Sequence, residues 1–201
     1  GDLQLPPAVK FVAAANPPEQ AASGWDLSAP LANRFVHLTW NAPTVEQWTD
    51  WLTGDDTSDV SKISLDPTEW AKQFNQAKSL VAAFLRRRPG LLCEDVSKIA
   101  GRFPLAYATP RTWECAVRLL ASCRVTGMDE AVLPLLAGSL GEPVAIEFAT
   151  WLRQNDLPDP EELLKDPTAW TPDPRKPDQA FAVCLSVTAA ALDGGPDLNK
   201  K

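Results

Sequence analysis

The proline content of this chain most constrains what it can fold into. Nineteen prolines occur among its 201 residues, and proline lacks the backbone N–H that a helix interior or a central strand needs. The chain therefore favours many short elements over a few long ones. With 45% hydrophobic residues it has ample material for a core, and its length allows one large or two small domains.

Net charge and residue usage argue against several classes of function. The formal net charge is −7 and the pI is about 4.8, which disfavours nucleic-acid or anionic-membrane binding, because neutralising phosphates requires a basic surface. The four cysteines include no Cys-x-x-Cys pair and the only histidine is His37, so the paired spacing of a zinc site is absent. We interpret all four cysteines as reduced core thiols. No apolar run approaches the roughly 18 residues of a spanning helix, and we expect a cytoplasmic protein.

The first forty residues predict a piece of a parallel sheet. Residues 1–9 alternate like a hairpin arm whose partner lies upstream, which predicts that the chain is the C-terminal portion of a longer protein. Residues 10–15 (KFVAAA) are nearly all apolar, as in a strand buried on both faces. Asn16 ends this strand. The next elements are a short helix at Ser28–Asn33, Arg34, and a second strand at residues 35–39 (FVHLT).

From Thr44 onward the pattern is helical. In Pro67–Arg87, apolar residues recur at 4-3-4-3 spacing from Trp70 to Phe84, which predicts a long amphipathic helix. Thr44 is expected to cap a helix without a full capping box, because Glu46 lies only two residues past it. The other predicted helices are at residues 45–53, 110–126, 129–139, 143–154, 159–165 and 177–192. Thr109 is expected to be the N-cap of the helix at 110–126, and Gly127 is expected to end it.

These patterns predict a mostly α protein with a small parallel α/β remnant. The polar residues 54–66 are rich in turn formers and are interpreted as a linker or exposed loop. The predicted division is an α/β part at 1–54, a helical part at 55–192 and a disordered tail at 193–201.

Three short motifs resemble those of one ATPase family. An apolar strand followed by Asn-Pro-x-Glu-Gln at residues 16–20, and Leu-Ala-Asn-Arg-Phe at residues 31–35, resemble the post-Walker half of an AAA+ ATPase, most closely the MoxR branch. Thr109-Pro110-Arg111 resembles the Ser-Pro-Arg of the sensor 2 motif. MoxR-like proteins usually read Leu-Asp-Arg-Phe at the second motif, so Asn33 replaces an acidic residue here. The resemblance implies the C-terminal part of an AAA+ core at 1–54 and a helical lid within 55–192.

The resemblance assigns roles to three residues. Asn16 corresponds to the catalytic sensor 1 residue, and an uncharged amide after a buried strand can orient a water where ligands bind in open α/β sheets. Arg34 corresponds to the catalytic arginine finger, which reaches the γ-phosphate bound by a neighbouring subunit. Arg111 corresponds to the nucleotide-binding sensor 2 arginine. A cation in the first turn of a helix opposes the helix dipole, which makes an anion partner attractive. No metal ligand is assigned.

The family implies an ATP-driven, chaperone-like remodelling ATPase. Such proteins assemble as homo-oligomers, usually hexameric rings, and often work with a partner that carries a von Willebrand factor A domain. No Gly-x4-Gly-Lys-Ser/Thr occurs in the sequence, so ATP and Mg²⁺ are expected to be bound only with upstream segments. This chain alone is expected to bind no cofactor and to be inactive. The remodelled substrate is not specified by the sequence.

A non-catalytic helical interaction module is the alternative hypothesis, and the helical second part and acidic composition permit it. An ATPase fragment should show neighbouring parallel strands at 10–15 and 35–39, with Asn16 and Arg34 on one rim. A helical module should instead pair Arg34 and Arg111 with local acids. A nucleic-acid-binding helical domain ranks below both because of the charge.

Several other residues receive structural interpretations. We expect His37 to be a hydrogen-bonded strand residue and Trp48 and Trp51 to pack in the core. The Arg86–Arg88 cluster is interpreted as a solvated helix end.

Overall fold

The computed structural model describes residues 6, 9, 11–16, 27–54, 64–95, 106–155 and 157–192. Within these ranges the chain is mostly helical, as predicted, and contains no strand. Two short 3-10 turns, Pro89–Leu91 and Pro167–Ala169, interrupt the helical order. The α-helices are α1 (Ala29–Ala32), α2 (Val45–Thr53), α3 (Pro67–Arg87), α4 (Pro110–Thr126), α5 (Asp129–Leu140), α6 (Glu142–Gln154), α7 (Pro160–Lys165) and α8 (Pro177–Leu192).

Proline and polar caps determine where the helices begin. In α3, the Asp66 carboxylate accepts hydrogen bonds from the backbone N–H groups of Thr68 (2.7 Å) and Glu69 (3.0 Å). Pro67 occupies the first helical position, where no N–H is needed. Proline also opens α4, α7 and α8. The high proline content therefore divides the chain into helices without interrupting most of them.

A cluster of four aromatic side chains forms the centre of the helical bundle. Helix α3 packs against α4, α6 and α8, and α5 packs against α4 and α6. The Phe84 ring centroid lies 5.0 Å from that of Phe148, 5.8 Å from Trp113 and 5.6 Å from Trp151. Tilted aromatic pairs of this kind each contribute about 0.5–1.5 kcal/mol beyond their area burial. This core fixes the relative positions of α3, α4 and α6.

The three arginines at the end of α3 are exposed, as the interpretation of a solvated helix end predicts, and each also contacts a residue of the bundle. Arg87 donates to Asp178 at the start of α8 (3.1 Å), and Arg88 forms an ion pair with Glu147 on α6. The Arg86 guanidinium lies 4.1 Å from the centroid of the Phe181 ring. These contacts join helices that are distant in the sequence, so local patterns could not reveal them.

The two predicted strands are absent, and that part of the fold prediction was wrong. Residues 11–16 have no regular secondary structure, and Phe11 and Val12 are 72% and 95% exposed. Residues 35–39 pair with no strand. The described part of the chain offers no neighbouring strand edge, and an extended segment without one has no ladder of hydrogen bonds to stabilise it.

The second of these segments lies instead along helix α5. The backbone N–H of His37 donates to the carbonyl of Gly138 at 2.8 Å. A Cβ atom at position 138 would overlap with the carbonyl oxygen of His37, so glycine is needed for this close approach. His37 is hydrogen-bonded as expected, through Nε2 to the carbonyl of Ala32 (2.8 Å), but it does not lie in a strand.

Helix α2 differs from its prediction in its cap and its burial. Thr44 and Gln47 form a full capping box, with Gln47, not Glu46, at the third helical position. None of the residues of α2 is buried, and the side chains of Trp48 and Trp51 are 49% and 64% exposed. The core interpretation of these two tryptophans was wrong, because α2 has no extensive contact with another described helix.

The cysteines are free, but only one is fully buried. Cys123 lies in the core and Cys115 is half-buried, whereas Cys93 and Cys184 are exposed. Their interpretation as core thiols was therefore wrong for the last two, which follow or lie within elements whose inner faces are filled by other residues.

Several predictions fall outside the described residues. Most of the predicted linker (55–63), Lys10 and the predicted tail (193–201) belong to this group, so the proposed domain boundaries stay predictions. None of the described helices is both long enough and apolar enough to cross a bilayer.

Candidate functional site

The end of α1 and the start of α4 meet through a small group of polar side chains. We call this group the arginine network. It comprises the bridging residues Asn33, Tyr107 and Thr109 and the two arginines that flank them, Arg34 and Arg111. Two of the three residues that sequence reasoning selected for chemistry thus belong to one local structure.

Thr109 is the N-cap of α4, as predicted. Its hydroxyl accepts from the backbone N–H of Thr112 (3.3 Å), and the Thr112 hydroxyl accepts from the backbone N–H of Thr109 (2.8 Å). The hydroxyl of Ser139 on α5 donates to the carbonyl of Thr112 (3.0 Å). The start of α4 is therefore held both by its own capping box and by the neighbouring helix.

Asn33 links α1 to this cap. Its side-chain amide donates to the carbonyl of Tyr107 (3.2 Å), and its amide oxygen accepts from the hydroxyl of Thr109 (2.9 Å). The phenol of Tyr107 donates in return to the carbonyl of Ala29 (2.9 Å). Asn33 is only 7% exposed, and a buried amide stays inside the protein only when its donor and acceptor are both satisfied.

Arg34 follows Asn33 directly and is exposed. One of its guanidinium nitrogens, Nη1, donates to the carbonyl of Pro30 in α1. It makes no ion pair with any residue that the structure describes. Since a guanidinium carries five N–H donors, most of its hydrogen-bonding capacity remains open to solvent or to a ligand.

Arg111 occupies the second position of α4 and is also exposed. The first turn of α4 contains no acidic residue, and Arg111 forms no hydrogen bond or ion pair within the described ranges. Its charge adds to the partial positive charge of the helix N-terminus. One acidic side chain already lies near this helix start, because the Glu94 carboxylate accepts from the backbone N–H of Ala108 at 2.8 Å.

The connection through Asn33 and Thr109 limits how far apart the two arginines lie. Standard backbone spacings and the 2.9 Å hydrogen bond place the Cα atoms of Arg34 and Arg111 within about 20 Å of each other. The hydrogen bonds set this upper limit, and by themselves they do not bring the two guanidinium groups to one site.

Asn16 is not brought to this network. It ends the exposed segment 11–16 and makes no hydrogen bond to the described part of the chain. The expected sheet rim that would carry Asn16 and Arg34 together is not formed by these residues.

Two other features of the described residues were considered as sites. No group of three or more His, Cys, Asp or Glu side chains that could hold a metal ion occurs within the described ranges. An open apolar groove of about 390 Å³ lies between α7 and α8, with Trp170 and Cys184 in its lining, and neither arginine contributes to it. Neither feature adds a reactive group to the arginine network.

The sequence contained a partial signal for the bridging residues. Thr109 was recognised as a cap, and Asn33 as a departure from the usual family motif. Tyr107 was missed, because nothing near it in the sequence indicates that its carbonyl and phenol face α1.

Comparisons of the chain with protein-family models, curated proteins and solved structures find no match.

Proposed function

We propose that this chain supplies the sensor and arginine-finger residues of a MoxR-like AAA+ ATPase. In this proposal the phosphate-binding loop and the magnesium ligands come from segments outside these 201 residues. ATP and Mg²⁺ bind between subunits of a homo-oligomeric ring, and the hydrolysis energy drives remodelling of another protein. The observation that carries the proposal is that neither Arg34 nor Arg111 pairs with an acid among the described residues. The alternative of a helical module predicted local acidic partners for both.

The chemistry of phosphoryl transfer gives such arginines a use. Negative charge builds on the transferring phosphoryl group, and a positioned guanidinium stabilises it, which accelerates the reaction by about 10³- to 10⁵-fold. An arginine already neutralised by a carboxylate could not contribute this charge without breaking an ion pair. Their exposure, and the absence of an acidic partner among the described residues, therefore suit both arginines to this role.

The exposed apolar segment 11–15 has a place in the same proposal. Phe11 and Val12 are almost entirely in solvent, and burying side chains of this size stabilises a protein by about 1.5–3 kcal/mol each. We propose that these residues are covered by the rest of the nucleotide-binding core in the full-length protein, and that Asn16, which follows them, then faces the nucleotide.

A helical interaction module remains the second candidate function, because two observations favour it. The described residues contain no strand, and α2 exposes Trp48 and Trp51 on a helix that contributes nothing buried. Exposed aromatic side chains of this kind are enriched where proteins bind partners.

The test uses the fact that the two proposed catalytic residues act on ATP bound to different subunits. In the full-length protein that contains this chain, Asn16 acts on its own subunit's ATP and Arg34 on the neighbour's. The Asn16→Ala and Arg34→Ala variants should each lose most ATPase activity. Mixing them at equal amounts creates intact sites wherever an Arg34→Ala subunit receives the arginine of an Asn16→Ala subunit. Random assembly gives intact sites at about one quarter of the interfaces of a cyclic ring, and so about one quarter of wild-type activity.

The double variant Asn16→Ala/Arg34→Ala mixed with Arg34→Ala is the control, because no interface in that mixture can be intact. Activity in the first mixture but not in the control supports the proposal. If either single variant hydrolyses ATP at the wild-type rate, its assigned role is wrong. If neither variant loses activity, the interaction module becomes the better account.

A further inference from the structure

We infer that Asn33 is a positioning residue that joins the Arg34 finger to the helix carrying Arg111, so that the two arginines move together. This inference rests on the proposed function. It concerns a residue to which neither the motif resemblance nor the catalytic chemistry gave a role.

The first step concerns the backbone. Asn33 is the C-cap of α1, and its backbone N–H donates to the carbonyl of Ala29 at 3.0 Å. Arg34 is the next residue, and its N–H donates to the carbonyl of Leu31 (3.0 Å). The position of the Arg34 backbone is therefore set by where α1 ends.

The second step concerns what holds α1 in place. Helix α1 has only four residues, too few to be stable without tertiary contacts. The side chains of Asn33 and Tyr107 attach it to the segment that leads into α4. The orientation of α1 thus follows the start of α4.

The third step concerns the hydroxyl of Thr109. It has one proton, which it donates to Asn33 Oδ1, and its lone pairs accept from the Thr112 N–H that caps α4. A single hydroxyl therefore bonds both the residue before Arg34 and the first turn that contains Arg111. Any displacement of α4 by nucleotide at Arg111 is passed to Arg34 through these bonds.

The amide is specifically suited to this connection. Its NH₂ group faces a carbonyl and its oxygen faces a hydroxyl, so both halves are used. An aspartate would keep the size and the acceptor, but an ionised carboxylate oxygen would face the carbonyl of Tyr107 and repel it. Asn33→Asp therefore breaks one side of the link with minimal change in volume.

The chain offers a matched control at Asn155. It is similarly buried (5% exposed), and its side-chain amide also donates to a carbonyl, that of Trp151 (2.8 Å). Asn155→Asp introduces the same change at the end of α6. Among the described residues, the Asn155 side chain is not hydrogen-bonded to any member of the arginine network. A loss of activity that is caused only by lowered stability should therefore appear in both variants.

The experiment measures kcat and KM for ATP in the full-length protein. We expect Asn33→Asp to lower kcat by about tenfold or more with little change in KM, because a displacement of about 1 Å at a catalytic group can cost 100-fold. Asn155→Asp should leave both constants near wild type. The double variant Asn33→Asp/Arg34→Ala should be no slower than Arg34→Ala alone, because Asn33 acts through Arg34.

Substitutions at Thr109 test the same link from the other side. Thr109→Ser keeps the hydroxyl and should retain most of kcat, whereas Thr109→Val removes it and should resemble Asn33→Asp. This pair also serves if Asn33→Asp does not fold, which thermal melting would reveal.

The outcomes separate the two proposals. If Arg34→Ala hydrolyses ATP normally, the proposed function fails and this inference fails with it. If Arg34→Ala is slow but Asn33→Asp behaves like Asn155→Asp, only the positioning role is overturned. A further loss of kcat in the double variant would also overturn it.

Discussion

The helical bundle and the N-terminal arm use similar residues with opposite results. We define the bundle as the described residues from 64 to 192 and the arm as residues 11–16 and 27–54. In the bundle, Phe84 and Phe148 are at most 1% exposed, whereas in the arm Phe11 is 72% and Trp40 is 93% exposed. Among the described residues, large apolar side chains are therefore buried mainly where several helices surround them.

The two regions meet at a few hydrogen bonds between the described residues. The arm is attached through Asn33, through the Tyr107 phenol to Ala29, and through the backbone of His37 to Gly138. The candidate site lies at this boundary, where a firm scaffold holds a segment that has little core of its own. Such boundaries combine positional accuracy with the freedom to respond to a partner.

The largest expected difference in the free energy of unfolding is between a Phe→Ala substitution in the bundle and one in the arm. Phe148→Ala should lower the free energy of unfolding by about 3–5 kcal/mol, because it leaves a cavity among Phe84, Trp113 and Trp151. Phe11→Ala should change it by less than about 0.5 kcal/mol, since an exposed side chain loses few contacts. Urea denaturation of the 201-residue chain measures both. A comparable loss in Phe11→Ala would show that the arm also packs in solution.

A smaller difference in stability is expected between substitutions of two aspartates, Asp178 and Asp173. Burial by itself raises the pKa of Asp178, but hydrogen bonds from Trp151 and the charge of Arg87 outweigh it and hold the pKa below the usual 3.8. Asp178→Asn should therefore lower the free energy of unfolding by about 1–3 kcal/mol near neutral pH. Asp173→Asn, in an exposed turn, should have a much smaller effect.

The pH dependence of Asp178 has a definite sign. Because its folded pKa is depressed, its contribution is fully present above the unfolded value of 3.8 and is lost as pH falls through the lower folded pKa. The stability difference between wild type and Asp178→Asn, measured by urea denaturation at several pH values, should shrink only in strong acid. A difference that already disappears near pH 5 would contradict this assignment.

The smallest expected effect compares two threonine N-caps, Thr44 and Thr109, each of which forms a capping box. Thr109→Ala should cost about 1–2 kcal/mol in global unfolding, because it removes the α4 cap and the bond to Asn33. Thr44→Ala removes the α2 cap, and its cost of about 1 kcal/mol should be confined to that helix. Amide hydrogen exchange distinguishes them: the first should accelerate exchange across the bundle, and the second only within residues 45–53. Equal effects on global stability would mean that α2 unfolds together with the bundle.

Much of the helical structure could be predicted from local sequence. The bounds of α3 agree with those predicted, since Pro67 opens the helix and the apolar periodicity marks its length, and α8 begins at Pro177 as predicted. Thr109 and Gly127 likewise delimit α4 as expected. These signals are local because capping and periodicity involve residues within about four positions of each other.

The candidate site was predictable only in part. Arg34 and Arg111 were selected from short motifs, but the bonds that connect them run between Asn33 and Thr109, 76 positions apart. Similarly, whether Phe11–Ala15 forms a strand depends on a neighbouring strand, and the described residues provide none. No local pattern contains this information.

The mostly helical character of the described residues, and the ends of the main helices, could be read from local sequence. The contacts of the arginines at the end of α3, the exposure of α2 and the bonds from Asn33 to Tyr107 and Thr109 became visible only in the folded chain. These two kinds of interaction differ in range. Capping and helical periodicity act between near neighbours, whereas burial and side-chain bridges depend on which distant segments the fold brings together.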